Sequence, residues 1–139
     1  MSYRNQSEAA LKAHLQTTVG VPVYVGLRDE VKGLPCVVVN FTNAQEAPVG
    51  SGNMEIQLQI MVQSEIDGQS SPGALEVHEA TVSQVEAALD YQELQALNDQ
   101  HDHFHYFGKT EHSGPERDTQ DLVVTETFLI TLAAALGNF

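Results

Sequence analysis

The chain has 139 residues, with 19 Asp and Glu against six Lys and Arg, so its formal charge is −13 at pH 7. So few cations exclude general binding to nucleic acid, which depends on neutralising phosphates, and an acidic surface repels passing DNA. An apolar content of 42% excludes wholesale disorder and provides a core for a single domain over residues 1–139.

Neither the N-terminal residues nor the cysteine usage points to a membrane or an oxidising compartment. The first eight residues have no apolar signal-peptide core, and no segment approaches the roughly 20 apolar residues of a membrane helix. Cys36 is the only cysteine, which excludes an internal disulfide and a multi-cysteine zinc site. We therefore expect a cytosolic, soluble product with Cys36 packed in a strand or core.

The first predicted element is a helix over residues 7–19. Ser7 suits its N-cap, and Gly20 and Pro22 end it. Its apolar positions recur every four residues: Leu11, Leu15 and Val19. The β-prone segment 21–26 follows, and Pro22 makes it either an edge strand or a strand that leads into the sheet.

A second strand is predicted over residues 36–41, after a charged turn over residues 28–33. The polar connection 43–52 then leads to the next strand and is longer than a tight hairpin requires. It is either a hairpin tip or a segment that orders against a partner. Val49 is its only sizeable apolar residue.

The strongest pattern in the chain lies between residues 53 and 89. Apolar side chains alternate with mainly polar ones over residues 54–63, which predicts one long strand with a single apolar face. Ser71 and Pro72 suit the start of a helix. The apolar stripe of this helix comprises Leu75, His78, Val82, Val85 and Leu89. We expect the helix to pack on the apolar face of the strand.

The remaining elements complete a two-layer arrangement. We expect residues 91–97 to form a last helical turn or a short second helix. After them we expect a strand over 103–109, a polar loop over 110–120 and a strand over 122–132. Glu126 lies in the apolar row of the last strand, so its carboxylate must be paired, lie at a sheet margin or meet another subunit.

These elements predict an α+β fold with two layers. We expect a mainly antiparallel, mixed sheet of about five strands with two helices packed on one face. The last two strands form a hairpin, while the long crossover through the main helix permits one parallel contact.

The candidate for metal chemistry is a histidine cluster: His101, His103, His105 and His112. Residues two apart on a strand share a face, so His103 and His105 are the candidate metal ligands, with Asp99, Glu111 or His112 as a third. No HExxH motif or cysteine pair accompanies them. The alternative is a solvated strand face with weak pH sensitivity.

Other catalytic templates do not fit. The chain has no GxSxG elbow, no GxxxxGK[ST] phosphate loop and no Rossmann glycine pattern. Cys36, at the start of an apolar strand, suits packing more than nucleophilic attack. Asp67 and Asp121 are typical of turns rather than of an acid–base pair. The sequence therefore predicts no catalytic residue and no cofactor.

One order of features runs through most of the chain. A helix with Leu11 and Leu15 leads to a V-Y-x-G strand at residues 23–26 and a P-x-V-V-V strand at residues 35–39. Strand 55–63 then runs into Ser70-Ser71, the helix 78–89 and a final strand at 122–132. This order resembles that of the tail-terminator or tail-completion proteins of long-tailed bacteriophages.

The resemblance implies a small α+β domain that assembles as a hexameric ring. Such a ring caps the finished tail tube, stops its polymerisation and joins it to the head–tail connector or neck protein. The expected partners are other copies of the chain, the tail tube protein and the connector, and the expected location is the virion after assembly in the host cytoplasm. DNA would pass through an acidic channel without specific binding. The family does no chemistry, so no catalytic residue is implied.

A ring requires a heterologous interface, for which sheet edges offer unpaired hydrogen-bonding groups. The candidate interface residues are Val23 and Val25 on the edge strand, Val49 in the connection and Glu126 on the last strand. The polar loops 43–52 and 109–120 are candidates for contact with tube or connector. Two other classes stay open, an acidic monomeric binding or adaptor module and a small metal-dependent enzyme.

Overall fold

A computed structural model of the chain describes residues 3–26, 29–30, 33–46, 53–66, 72–100, 104–117 and 123–135. Its elements in chain order are α1 (Tyr3–Gln16), β1 (Val23–Val25), β2 (Cys36–Glu46), β3 (Asn53–Glu65), α2 (Pro72–Ala88), α3 (Tyr91–Gln100), β4 (Phe104–Arg117) and β5 (Val123–Ala135). The strands form one sheet in the order β1-β2-β3-β5-β4. The predicted α+β class and five-stranded mixed sheet are confirmed, with three helices in place of two.

The central strand β3 is paired along both edges, antiparallel to β2 and to β5. Its predicted alternation is confirmed. The helix-facing side chains are fully buried: Ile56, Leu58, Ile60 and Val62. Burying each such aliphatic side chain contributes about 1.5–3 kcal/mol. This row fixes the register of β3, because a slip by one residue would turn the row towards solvent.

The three helices cover the same face of the sheet and close the core over it. Leu11 and Leu15 from α1, Val85 from α2 and Leu94 from α3 belong to one buried cluster with the β3 row. Where α2 ends, the ring nitrogen Nε2 of His14 donates to the Ala88 carbonyl at 2.8 Å. No helix among the described elements has the length and apolar character needed to cross a membrane.

Helix α1 differs from its prediction at both ends. It begins at Tyr3, so Ser7 is a buried residue inside the helix and not its N-cap. It ends at Gln16, where the hydroxyl of Thr17 donates to the His14 carbonyl. Thr17, Thr18 and Val19 are β-branched and therefore disfavour a further turn, although Val19 still packs in the core.

Helix α2 begins at Pro72, as predicted, but Leu75 is 49% exposed and does not belong to the buried stripe. Residues 91–100 form a separate helix, α3. The carboxylate of Asp90 accepts from the Gln92 amide at 3.4 Å, so Asp90 caps α3. The spacing of Asp90 and Glu93 is that of a capping box, a signal in the sequence for this extra helix.

Two predicted loops are partly strand. Residues 43–46 extend β2 and residues 110–117 extend β4, so both hairpins continue as paired ribbons. The register of β4 shifts at three places, between residues 106 and 108, 109 and 111, and 113 and 116. Each shift interrupts the period-two pattern by which a strand is recognised in a sequence.

The parallel contact also lies elsewhere than expected. It joins β1 to β2, whereas the crossover through α2 was expected to provide it. As a result of the crossover, β4 does run in the same direction as β3. The two are not neighbours, because β5 lies between them and is antiparallel to both.

Gly114, in the irregular part of β4, provides a test of this ribbon. Its φ is +98°, and a Cβ there would lie 2.9 Å from the Thr125 carbonyl oxygen. We expect Gly114→Ala to lower the free energy of unfolding by about 1–3 kcal/mol in urea denaturation, because the backbone must hold a strained conformation. Gly73→Ala is the control: a Cβ there meets nothing within 4 Å, and the helix should gain up to about 1 kcal/mol. Equal effects of the two variants would contradict the paired ribbon.

Candidate interaction surface

The face of the sheet opposite the helices carries side chains without charge in the middle of its central three strands. We call this surface the open face. It comprises Asn40 and Asn43 on β2, Gln57, Gln59, Met61 and Gln63 on β3, and Thr125, Thr127 and Leu129 on β5. Three further side chains in the same rows are buried: Cys36, Val38 and Thr131. Their register places Gln59 between Asn40 and Leu129, and Met61 between Val38 and Thr127. In the sequence, this surface is indicated only by the mainly polar residues that alternate with the apolar ones along β3.

Charged side chains border the open face instead of entering it. Glu55 and Glu65 lie towards the two ends of β3, and Glu111 and Glu116 lie on β4. In a chain with 19 carboxylates, an uncharged surface of this extent is the place where a second acidic molecule can approach with least repulsion.

The β1 edge of the sheet is closed to strand addition at Val25. The Val25 amide donates to Oδ2 of Asp29 at 2.8 Å, and the Asp29 amide donates to the Val25 carbonyl at 2.9 Å. Lys12 holds the same carboxylate at 2.7 Å. The side chains of Val23 and Val25 are each 3% exposed and belong to the core face. These two side chains therefore offer little surface to another copy, and the interface predicted at this edge stays a prediction.

The β4 edge is irregular and charged. It carries the three register shifts, Pro115, and the exposed side chains of Lys109, Glu111 and Glu116. Bulges, charges and proline are the features by which natural sheets block pairing with another strand. Since features at both edges hinder the addition of another strand, the open face is a candidate surface for association.

Glu126 lies on the helix side of β5 and is paired within the chain. Its Oε2 accepts a hydrogen bond of 2.6 Å from Nε2 of His112 on β4, and its Oε1 lies 3.4 Å from Nε2 of His78 on α2. The His112 ring also stacks on Phe128, with centroids 4.2 Å apart. Of the three environments predicted for this carboxylate, the structure has the paired one, and its 8% exposure leaves little for another subunit.

A neighbouring contact joins strand β4 to helix α2. The Lys109 ammonium donates to Glu86 of α2 at 2.9 Å and lies 5.6 Å from the centre of the Phe128 ring. This hydrogen bond from Lys109 lowers the pKa of the Glu86 carboxyl, with a coulombic contribution from the same ammonium. The contact is exposed and therefore orients β4 on α2 more than it stabilises the fold.

Ser64, His78 and Glu126 together have the residue types of a nucleophilic triad, but their geometry does not serve that chemistry. Ser64 and Nδ1 of His78 share a buried hydrogen bond of 2.8 Å. A substrate must reach the nucleophile, whereas Ser64 is 3% exposed and His78 is 1% exposed. The trio was missed in the sequence because its members come from β3, α2 and β5; a histidine in the apolar stripe of α2 was the available signal.

The structure describes only part of the predicted metal cluster. His103, His101 and Val49 lie outside the described residues, as does the end of the 43–52 connection. His105 is exposed, and its Nδ1 lies 3.5 Å from the Asn98 amide nitrogen. Within the described ranges, no group of three or more His, Cys, Asp or Glu side chains could hold a metal ion.

Cys36 has the packed position predicted for it, at the start of β2 with 0% exposure. Burial raises the pKa of its thiol, which lowers the fraction of the reactive thiolate.

Comparison with known proteins gave no match, neither to a protein-family model nor to a curated protein. The functional proposal therefore depends on the residues and their geometry.

The pairing of Glu126 predicts a specific loss of stability. We expect His112→Ala to lower the free energy of unfolding by about 1–3 kcal/mol, because it leaves a nearly buried carboxylate without its hydrogen bond. Urea denaturation at pH 7 measures the change. The control is His105→Ala on the exposed part of β4, for which we expect less than about 0.5 kcal/mol. A His112→Ala protein as stable as the control variant would show that the pair is not needed.

Proposed function

We propose that this chain is a structural protein of virion assembly, a tail terminator of a long-tailed bacteriophage. Six copies form a ring that caps the tail tube and joins it to the head–tail connector or neck protein. The proposal starts from the order of features quoted above, from the first helix to the last strand. The observation that carries it is the uncharged open face on an otherwise acidic molecule.

Copies that each carry a charge of −13 repel one another, so they can associate only where few carboxylates face each other. Two like charges 4 Å apart near a protein surface repel by about 4 kcal/mol. An interface between such copies must therefore exclude carboxylates from its centre. Gln59, Met61, Thr127 and Leu129 provide a central surface with amide, hydroxyl and apolar groups only.

The symmetry of the assembly determines which surface of the neighbouring copy the open face contacts. If the open faces of two copies paired with each other, the result would be a closed two-fold dimer. In a ring of six, the open face of one copy lies against a different surface of the next copy. The oligomeric mass therefore separates the two arrangements without any knowledge of the partner proteins.

The remaining acidic surface suits the channel of such a ring. A wall of carboxylates repels the phosphates of DNA, so DNA passes without being held. In this proposal the protein works by contacts with the tail tube and the connector, without a cofactor, and resides in the virion.

An acidic monomeric binding module is the second candidate, favoured by an acidic cleft on the helix side that Glu79, Glu116 and Glu126 line. Native mass spectrometry of the purified chain distinguishes the two. Six times the subunit mass of 15.2 kDa supports the terminator, whether the ring forms alone or on added tail tube. A single-subunit mass under both conditions contradicts the ring.

A single charge placed on the open face tests this surface directly. We expect Gln59→Glu to dissociate the ring at least tenfold more readily, because an unpaired carboxylate buried at an interface costs more than about 1.4 kcal/mol. Sedimentation velocity over a dilution series measures the change. Gln92→Glu, on exposed helix α3, adds the same charge elsewhere and should assemble like the wild type. The same dissociation in both variants would show that net charge, and not the open face, governs assembly.

A further inference from the structure

The open face carries side-chain groups that can pair with copies of themselves. Each of its glutamines and threonines on β3 and β5 holds both a hydrogen-bond donor and an acceptor: Gln57, Gln59, Gln63, Thr125 and Thr127. An amide or a hydroxyl can therefore bind the same group of a second copy, whereas a carboxylate that faces its own copy is repelled. An interface with two-fold symmetry requires such self-complementarity, because the same surface contributes from both sides.

Two apolar side chains lie among these polar groups. Met61 and Leu129 are half-buried in the chain, so part of each side chain is still accessible. In the register of β3 and β5, Met61 lies beside Thr127 and Leu129 lies beside Gln59. Covering this apolar surface is favourable by about 25 cal/mol per Å². The middle of the open face thus combines apolar contact with paired hydrogen bonds, as the cores of protein interfaces do.

The carboxylates at the border determine where a two-fold axis passes. Glu55 and Glu65 lie towards the two ends of β3. Glu111 and Glu116 lie on β4, beside β5. When two open faces pack together, these borders bring carboxylates of one copy towards carboxylates of the other. Repulsion is least when the axis passes through the middle of the uncharged region, so Gln59 of one copy lies close to Gln59 of the other.

The uncharged region is small for a stable dimer. Over residues 57–63 of β3 and their neighbours on β2 and β5, strands about 4.8 Å apart with a rise of about 3.3 Å per residue give roughly 330 Å². A stable complex buries about 800 Å² on each partner. Because full-sized interfaces extend down to micromolar affinity, we expect a pair with a Kd between about 1 µM and about 1 mM.

We propose that two copies of the free chain pair through their open faces, as a two-fold dimer that exists before the ring. The pairing covers the surface that the ring needs, so it holds the free chain back from assembly until the tail tube captures single copies. A weak pair suits this role, because it lowers the apparent affinity for assembly only by the fraction of copies whose open face is free. The reserve role rests on the proposed function, whereas the pairing rests on the open face alone.

Sedimentation equilibrium of the purified full chain, without tail tube, tests the pairing. A dilution series from about 1 mM to about 1 µM covers the expected Kd. We expect a reversible transition between the subunit mass of 15.2 kDa and twice that mass. A single-subunit mass throughout, or a direct transition from one subunit to six, would overturn the dimer. Neither outcome contradicts the ring, whose formation is measured separately on added tail tube.

Opposite charges at the two-fold axis identify the face-to-face arrangement. We expect Gln59→Glu and Gln59→Lys each to weaken self-pairing at least about tenfold, because equal charges then meet across the axis. A mixture of the two variants should pair again, since a carboxylate then meets an ammonium. Gln92→Glu and Gln92→Lys, on the exposed side of α3, carry the same charges elsewhere and should pair like the wild type. Weakened single variants without recovery in the mixture would overturn the face-to-face pair.

Salt provides a second measurement on the wild-type chain. The Debye length falls from about 10 Å at about 0.1 M salt to about 3 Å at about 1 M, so the repulsion between the bordering carboxylates is screened. We expect the pair to become at least about threefold tighter between these two conditions. An interface formed by ion pairs weakens under the same change, so a Kd that rises with salt would overturn the proposal.

Discussion

The structure depends on the central strand β3 and its two unlike faces. One face supplies the apolar row over which all three helices close, and the other supplies the glutamines at the centre of the open face. Because β3 is paired on both sides, its register cannot shift without turning the apolar row outward. The requirement that builds the core therefore also fixes the uncharged surface on the other side of the sheet.

The charged side chains are distributed unevenly over the surfaces of the sheet. The acidic residues surround the open face and line the cleft on the helix side, while the short edge strand β1 is closed by Asp29 and Lys12. Glu126, a buried carboxylate in an apolar row, is held by His112. The closed β1 edge and the uncharged middle of the open face are the two features from which we infer that copies associate through the open face.

The sequence predicted what depends on regular spacing. The alternation of β3, the start of α2 at Pro72 and the packing of Cys36 follow from local periodicity and turn chemistry. It did not predict the second half of β4, because register shifts interrupt the period of two. For the same reason the partner of Glu126 was missed: His112 lies in the segment that was predicted to be a loop.

The cleft could not have been predicted from local spacing. Its floor joins His78 of α2 to Glu126 of β5, and only the packing of the helix on the sheet brings these residues together. Leu75, which is 49% exposed, lines the same cleft beside Pro115 of β4. Patterns along a chain give the face on which a residue lies, but not which residue from another element lies opposite.

Single-particle electron microscopy of the purified assembly tests the central claim most directly. We expect a closed ring of six copies in which Gln59 and Thr127 lie at the boundary between neighbouring copies, against a different surface of the next subunit. A ring in which these side chains face solvent or the channel, or a protein that remains a single subunit beside its tail tube, would contradict it.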